Sequence, residues 1–222
     1  MDRLLRILQL ASPSLPVGAY SYSEGIEWLG DQGIITDVAS LRLWLDRELS
    51  NGAIRIDGAV LSRIYRSFLL EDFTQVNYWN RWLSAQRETA ELRHQSWQMG
   101  LSLYTLLCQV SSDRLLRELS FNSQCNFVTA FGITAACWQI PLAELLPVYL
   151  FGWLTNLVSA GVRTIPLGQT QAQQLIWQFQ DQINTAASEI LNMKDEDMEC
   201  CSVGLALASM QHETQYSRLF RS

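Results

Sequence analysis

Two histidines, five cysteines and a short acidic run near the C-terminus hold most of the bond-making potential of this sequence. A hydrolytic triad needs a histidine oriented by an acid and facing a nucleophile, so His94 or His212 would have to serve. Neither sits in a supporting motif. No serine is framed as G-x-S-x-G, and no G-x-x-x-x-G-K-[ST] loop is present to cradle phosphate. Lys194, the one lysine, lies beside the acidic run. His212-Glu213 is followed by Thr214, Gln215 and Tyr216, and so lacks the second histidine of a zinc-binding H-E-x-x-H. His94, within ETAELRHQSWQMG, reads as a hydrogen-bonded helical residue. Cys200 and Cys201 are adjacent, a poor geometry for two ligands of one ion. With His212, Asp195, Glu196, Asp197 and Glu199 they offer a weak transient metal site or an ordinary exposed acidic loop, and the loop is the reading adopted. The sequence therefore assigns no catalytic residue, metal ligand or cofactor. A helical enzyme using His94 or His212 with a nearby carboxylate stands as the alternative.

Recognition chemistry is better represented. Residues 12–28, SPSLPVGAYSYSEGIEW, begin with Pro13 and Pro16, which fix φ and push the residues before them into extended backbone. Gly18 permits a left-handed turn. Tyr20, Tyr22, Ile26 and Trp28 then present apolar surface around Glu24, while Ser21 and Ser23 are candidates to cap the next helix. The stretch reads either as a proline-bearing connection or as a rigid aromatic recognition loop. The other unusual stretch is 214–222, TQYSRLFRS. It sets Tyr216, Leu219 and Phe220 at i, i+3 and i+4, with Ser217, Arg218, Arg221 and Ser222 around them. Chain ends are commonly polar and frayed. An apolar, arginine-bearing end either docks on its own domain or waits for a partner.

The elements that must position these stretches read as helices. Thr36-Asp37 is an N-cap signal, after which Val38, Leu41, Leu45 and Leu49 recur on one face until Asn51-Gly52. Helical patterning resumes over 59–70. Asp72 with Gln75 opens one long run from Phe73 to Val110, where Arg87 and Glu91, four apart, pair on a solvated face. Residues 123–139, 142–162 and 169–193 follow, divided by Pro141 and by the turn at 166–168. No strand-type alternation persists. The fold class is all-α: a single irregular helical bundle, one domain over 1–222, packed around a buried central helix at 142–162. Residues 145–162 carry no charge and approach the length of a membrane span, but Pro147, Gly152, Asn156 and Gly161 within them favour a buried helix.

Composition narrows the function. The net charge of −6 argues against a nucleic-acid footprint. The hydrophobic fraction of 48% with 17% charged residues describes a globular chain. The five cysteines (Cys108, Cys125, Cys137, Cys200, Cys201) form no C-x-x-C pair and indicate a reducing compartment, the first three reading as small hydrophobes in apolar runs. The start, MDRLLRILQL, is too short an apolar run for a signal peptide, so a cytoplasmic protein without a membrane span is expected.

Four blocks carry a family resemblance: SPSLPVGAYSYSEGIEW, WNRWLSAQRETAELRHQSWQMG, YLFGWLTNLVSAGVRTIPLGQT and HETQYSRLFRS. Together, in this order and spanning nearly the whole chain, they resemble the urease accessory protein UreF family. The turn at 166–170 and the final RLFRS are the most specific pieces. The stretch 123–131, SQCNFVTAF, departs from the smoother small-apolar helix expected there. The resemblance implies a non-enzymatic, all-helical, dimerising maturation factor. It would join a UreD-type (also called UreH-type) protein and a UreG-type GTPase on apo-urease, coupling GTP hydrolysis to nickel delivery. By analogy, 1–24 and 214–222 become partner-binding elements, with Pro13, Pro16, Gly18, Tyr20, Tyr22, Glu24 and Tyr216 to Ser222 as the contact residues.

Overall fold

The computed structural model describes residues 2–199 and 202–222, so Cys200 and Cys201 lie outside the described residues. Among the described residues every regular element is helical. The order is α1 (Asp2–Leu10), α2 (Ile26–Asp31), α3 (Val38–Asn51), α4 (Ala53–Leu69), α5 (Phe73–Gln86), α6 (Ala90–Val110), α7 (Phe127–Cys137), α8 (Leu142–Thr164), α9 (Gln169–Gln178), α10 (Gln180–Leu191) and α11 (Val203–Glu213). Short 3₁₀ turns occupy Ala19–Ser21, Arg114–Glu118 and Asp195–Asp197.

Local chemistry sets the boundaries. The Asp37 carboxylate accepts the Ser40 N–H at 2.8 Å while the Ser40 hydroxyl returns to the Asp37 N–H, closing a capping box at the head of α3. Gly52 ends α3 and, in extended backbone, starts α4 at once, six residues before the patterning over 59–70 suggests. The run expected from Phe73 to Val110 is broken at residues 87–89. There Thr89 caps α6 through the Leu92 N–H, and Arg93 from α6 donates to the Ser84 and Arg87 carbonyls at the end of α5. Arg87 turns inward to Asp57, so the expected Arg87–Glu91 pair on a solvated face does not form. The run over 169–193 is likewise split, at the fully buried Phe179.

α8 passes through the middle of the bundle, against α2, α3, α4, α9 and α10. It is long and apolar enough to cross a membrane, yet half of its most apolar window is buried inside the fold. The helix buried on all faces is α7, held between α4 and α6, with every residue from Val128 to Ala136 buried. Small residues make that approach possible. A Cβ on Gly100 of α6 would collide with the backbone of Cys125 and Asn126. The departure at 123–131 has its physical reason here. Asn126 donates its side-chain amide to the Asn80 carbonyl and the Ser84 hydroxyl, both at 2.8 Å, and accepts from Ser96 at 2.9 Å. Thr129 completes the network by donating to Asn80 Oδ1 at 2.8 Å. A satisfied polar hub thus fixes how α5, α6 and α7 meet. Of the apolar-run cysteines, Cys125 is buried and Cys137 half-buried, with burial pushing the Cys137 thiol up to about 12. Cys108 is exposed rather than internal.

Candidate functional site

The segment 12–28 and the tail 214–222 form one structure. The tail is not helical, so the i, i+3, i+4 spacing does not set its apolar residues on one face. Instead it lies along 21–27. The Arg221 N–H donates to the Ser21 carbonyl at 2.8 Å, and the Ser23 N–H and hydroxyl both donate to Ser222 O at 2.7 Å. Ser23 therefore binds the tail. It is not the N-cap of α2, a place taken by Gly25. Glu27, buried in the first turn of α2, accepts the Leu219 and Phe220 N–H groups at 2.5 and 2.9 Å. The Phe220 ring is buried under the Arg163 guanidinium, 4.2 Å from the ring centroid, and Arg163 also donates to the Tyr20 carbonyl at 2.8 Å. Arg218 pairs with Glu91 at 2.5 Å.

This seam rests on a strained turn. Glu24 at φ +50° and Gly25 at φ +81° are successive left-handed residues, an arrangement that costs free energy at a non-glycine position. A Cβ on Gly25 would lie 2.7 Å from the Ala208 Cβ, so α11 sits directly on the turn. The turn aims Glu24 into the protein, where it accepts from Gln95 Nε2 at 3.1 Å and Trp153 Nε1 at 3.2 Å. Gln95 Oε1 in turn accepts the Ser222 hydroxyl at 2.5 Å.

Beneath the seam lies a cavity of about 420 Å³ whose lining includes the ionisable residues Glu24, Glu48, Asp57, Arg87 and Tyr149. Asp57 Oδ2 accepts from Arg87 at 2.8 Å and from the Tyr149 hydroxyl at 3.1 Å. Asp57 Oδ1 and Arg87 Nε, both buried, have no hydrogen-bond partner. Burial raises the Glu24 carboxyl above its ordinary range, partly offset by the Arg87 charge. Burial, and next the charge of Glu24, pushes Glu48 up to about 7. Burial likewise lifts the Tyr149 phenol well above its ordinary value, reinforced by Asp57. All four blocks that carry the resemblance reach this centre. Glu24 comes from the first, Arg87 and Gln95 from the second, Tyr149 and Trp153 from the third, and Ser222, through Gln95, from the fourth.

The residues expected to meet partners divide accordingly. Tyr20, Pro13, Pro16, Tyr216, Ser217, Arg218, Leu219 and Arg221 are exposed, with Tyr216 fully open and Tyr20 at 71%. Gly18 is half-buried in the left-handed turn expected of it, at φ +75°. Tyr22, Glu24, Phe220 and Ser222 point inward, onto groups of their own domain. The Tyr22 hydroxyl donates to Gln98 at 2.9 Å, and burial raises its phenol pKa.

The histidines separate too. His94 is exposed beside Trp97. His212 is fully buried, with Glu27 Oε2 and Glu91 Oε2 each 3.0 Å from a ring nitrogen, so neither nitrogen is open to a substrate. Nor does His212 join the acidic run, where Asp195 pairs with Arg63 at 2.5 Å. Among the described residues no three histidine, cysteine or acidic side chains are grouped to hold a metal ion. Glu27, Asp57 and Arg163 carry no assignment from the sequence, which pairs Glu91 with Arg87 where the structure pairs it with Arg218 and His212. Only Asp57 carried a signal, as a charge inside the apolar run IRIDGAVL of α4.

Comparison with known proteins bears on these features. A family profile described as UreF matches residues 35–180. A Nostoc protein named urease accessory protein UreF is 54% identical over 218 residues, covering 98% of this chain and 95% of that protein. A Microcystis aeruginosa protein of the same name is 54% identical over 219 residues, covering 99% and 97%. The likeness extends to an Alkalilimnicola ehrlichii protein, also so named, 38% identical over 225 residues and covering 98% and 95%. The profile stops short of both halves of the seam, whereas the pairwise matches take in nearly the whole chain.

Proposed function

The chain belongs to the UreF family of urease accessory proteins, and we propose that it serves urease maturation as a non-catalytic adaptor. In this reading it acts in the cytoplasm as a homodimer and bridges a UreD/UreH-type protein and a UreG-type GTPase on apo-urease. GTP hydrolysis is thereby coupled to insertion of nickel, the cargo. The observation that carries the reading is the seam itself. Backbone bonds from Ser21 and Ser23 to Arg221 and Ser222 order the tail, leaving Tyr20, Tyr216 and Leu219 outward on fixed main chain. Aromatic and apolar anchors on ordered backbone lose less conformational freedom on binding than a free tail would. Two further apolar stripes suit an adaptor: Leu4, Leu5 and Leu8 on α1, and Val203, Leu207 and Met210 on α11, all more than half exposed. A dimer would hold two GTPase copies at high effective concentration. The alternative enzyme reading finds no support at His212, whose nitrogens are both engaged.

Co-expression with a UreD/UreH-type protein, a UreG-type GTPase and apo-urease tests the proposal. Joint capture on a tag carried by this chain, with urease activation that depends on it, is expected. Full activation in its absence would overturn the reading.

A further inference from the structure

The His212 ring makes no hydrogen bond to the tail, yet both carboxylates that seat the tail are bonded to that ring. Glu27, on α2, uses its two oxygens for the Leu219 and Phe220 N–H groups, and Oε2 also faces His212 Nε2 at 3.0 Å. Glu91, on α6, gives Oε1 to Arg218 and Oε2 to His212 Nδ1 at 3.0 Å. The ring comes from the last turn of α11, where helix carbonyls favour positive charge. A neutral imidazole has one N–H, and an ionised carboxylate only accepts. Two short contacts to two carboxylates need a hydrogen in each, which the ring supplies when it donates from both nitrogens. The cluster then balances, with Glu27 and Glu91 against His212 and Arg218, as a buried group of charges requires. The neighbouring Glu213 adds a carboxylate acceptor for the Glu91 N–H at 3.3 Å.

We propose that His212, donating from both ring nitrogens, is the positioning residue that fixes Glu27 and Glu91 as the receptor for the C-terminal tail. It thereby ties three helices, α2, α6 and α11, to the presentation of residues 218–222. The importance of that presentation to partner binding rests on the reading of the tail given above; the receptor role does not.

Hydrogen–deuterium exchange on the full chain provides the test. In His212→Gln the Leu219 and Phe220 amides exchange at least about tenfold faster, while α7 amides keep their protection. Unchanged protection at Leu219 and Phe220 in a folded variant overturns the proposal. A second measurement needs no variant. The sequence has two histidines, one exposed and one buried, so ¹⁵N spectra of the histidine-labelled wild-type protein resolve two distinguishable rings. A buried ring with protons on both nitrogens supports the assignment, and one bare ring nitrogen overturns it. Capture of the UreD/UreH-type partner by the same variant separates the two ideas. Faster tail exchange with undiminished capture supports His212 as the positioning residue and counts against the tail as a partner contact.

Discussion

Two acid clusters meet the same tail, the outer one bonded to it directly and the inner one through a single glutamine, and they are built to opposite specifications. The outer one sets Glu27 and Glu91 against His212 and Arg218, with the ring and the guanidinium each bonded to a carboxylate and two tail N–H groups completing the set. The inner one sets Glu24, Glu48 and Asp57 against a single arginine, Arg87, around an open cavity, and leaves Asp57 Oδ1 and Arg87 Nε unpartnered. A cluster in which charges and donors balance serves as a fastener. A cluster with surplus acid and spare volume leaves its carboxyls raised, as with Glu24 and Glu48. Gln95, bonded to Ser222 on one side and Glu24 on the other, is the physical link between them.

The contrast can be broken most forcefully at the inner cation. Arg87→Met strands Asp57 beside the other acids and is expected to cost about 3–5 kcal/mol in urea unfolding, the usual penalty for removing one partner of a buried pair. A loss below 1 kcal/mol would mean that water already screens the cluster.

Glu48 gives the inner cluster a pH signature. Its carboxyl titrates near 7 in the folded protein against 4.5 ordinarily, so the folded state holds the proton more tightly than the unfolded chain. Stability from this group is therefore fully present below about pH 4.5 and is lost as pH rises through about 7. At 1.36 kcal/mol per unit, trimmed for water reaching a partly open site, the loss is about 2 kcal/mol. Glu48→Gln should remove that part of the decline between pH 5 and 8, measured by denaturant midpoints. A parallel decline in the variant would assign the slope to other groups, Glu24 first.

In the outer cluster, Glu27→Gln keeps one acceptor oxygen, sets an amide NH2 where the other oxygen accepted, and loses the charge that strengthens its bonds to the tail and to His212. A cost of about 1–2 kcal/mol is expected, read as tail exchange and a lower Tm. The smallest effect falls on the outward residues. Tyr216→Ala and Leu219→Ser, both at exposed positions, should change stability by no more than about 0.5 kcal/mol.

What the chain shows locally and what it hides divide by range along the sequence. Local signals were legible: Asp37 and Thr36 at the head of α3, the Asn51-Gly52 stop, the proline turn before α2, and the all-helical class. Local pattern misleads where a distant partner overrides it. Arg87 has the spacing of a surface partner for Glu91, but Asp57, thirty positions earlier, draws it inward. His212 looked like a loop ligand or a base, and nothing near it in sequence revealed Glu27 or Glu91. Tyr216, Leu219 and Phe220 carried helical spacing, but pairing with 21–27 replaced helix formation and split them between surface and core. The two odd stretches were visible separately. That they are one object was not, because the bonds joining them close a loop of nearly the whole chain.

The central claim is that the docked tail acts through its outward face. Capture of the UreD/UreH-type partner by the Tyr216→Ala/Leu219→Ser double variant, at a Tm matching wild type, tests it most directly. The account predicts a fall in affinity of at least about tenfold, as expected when interface anchors are removed. Wild-type affinity together with full urease activation would contradict it.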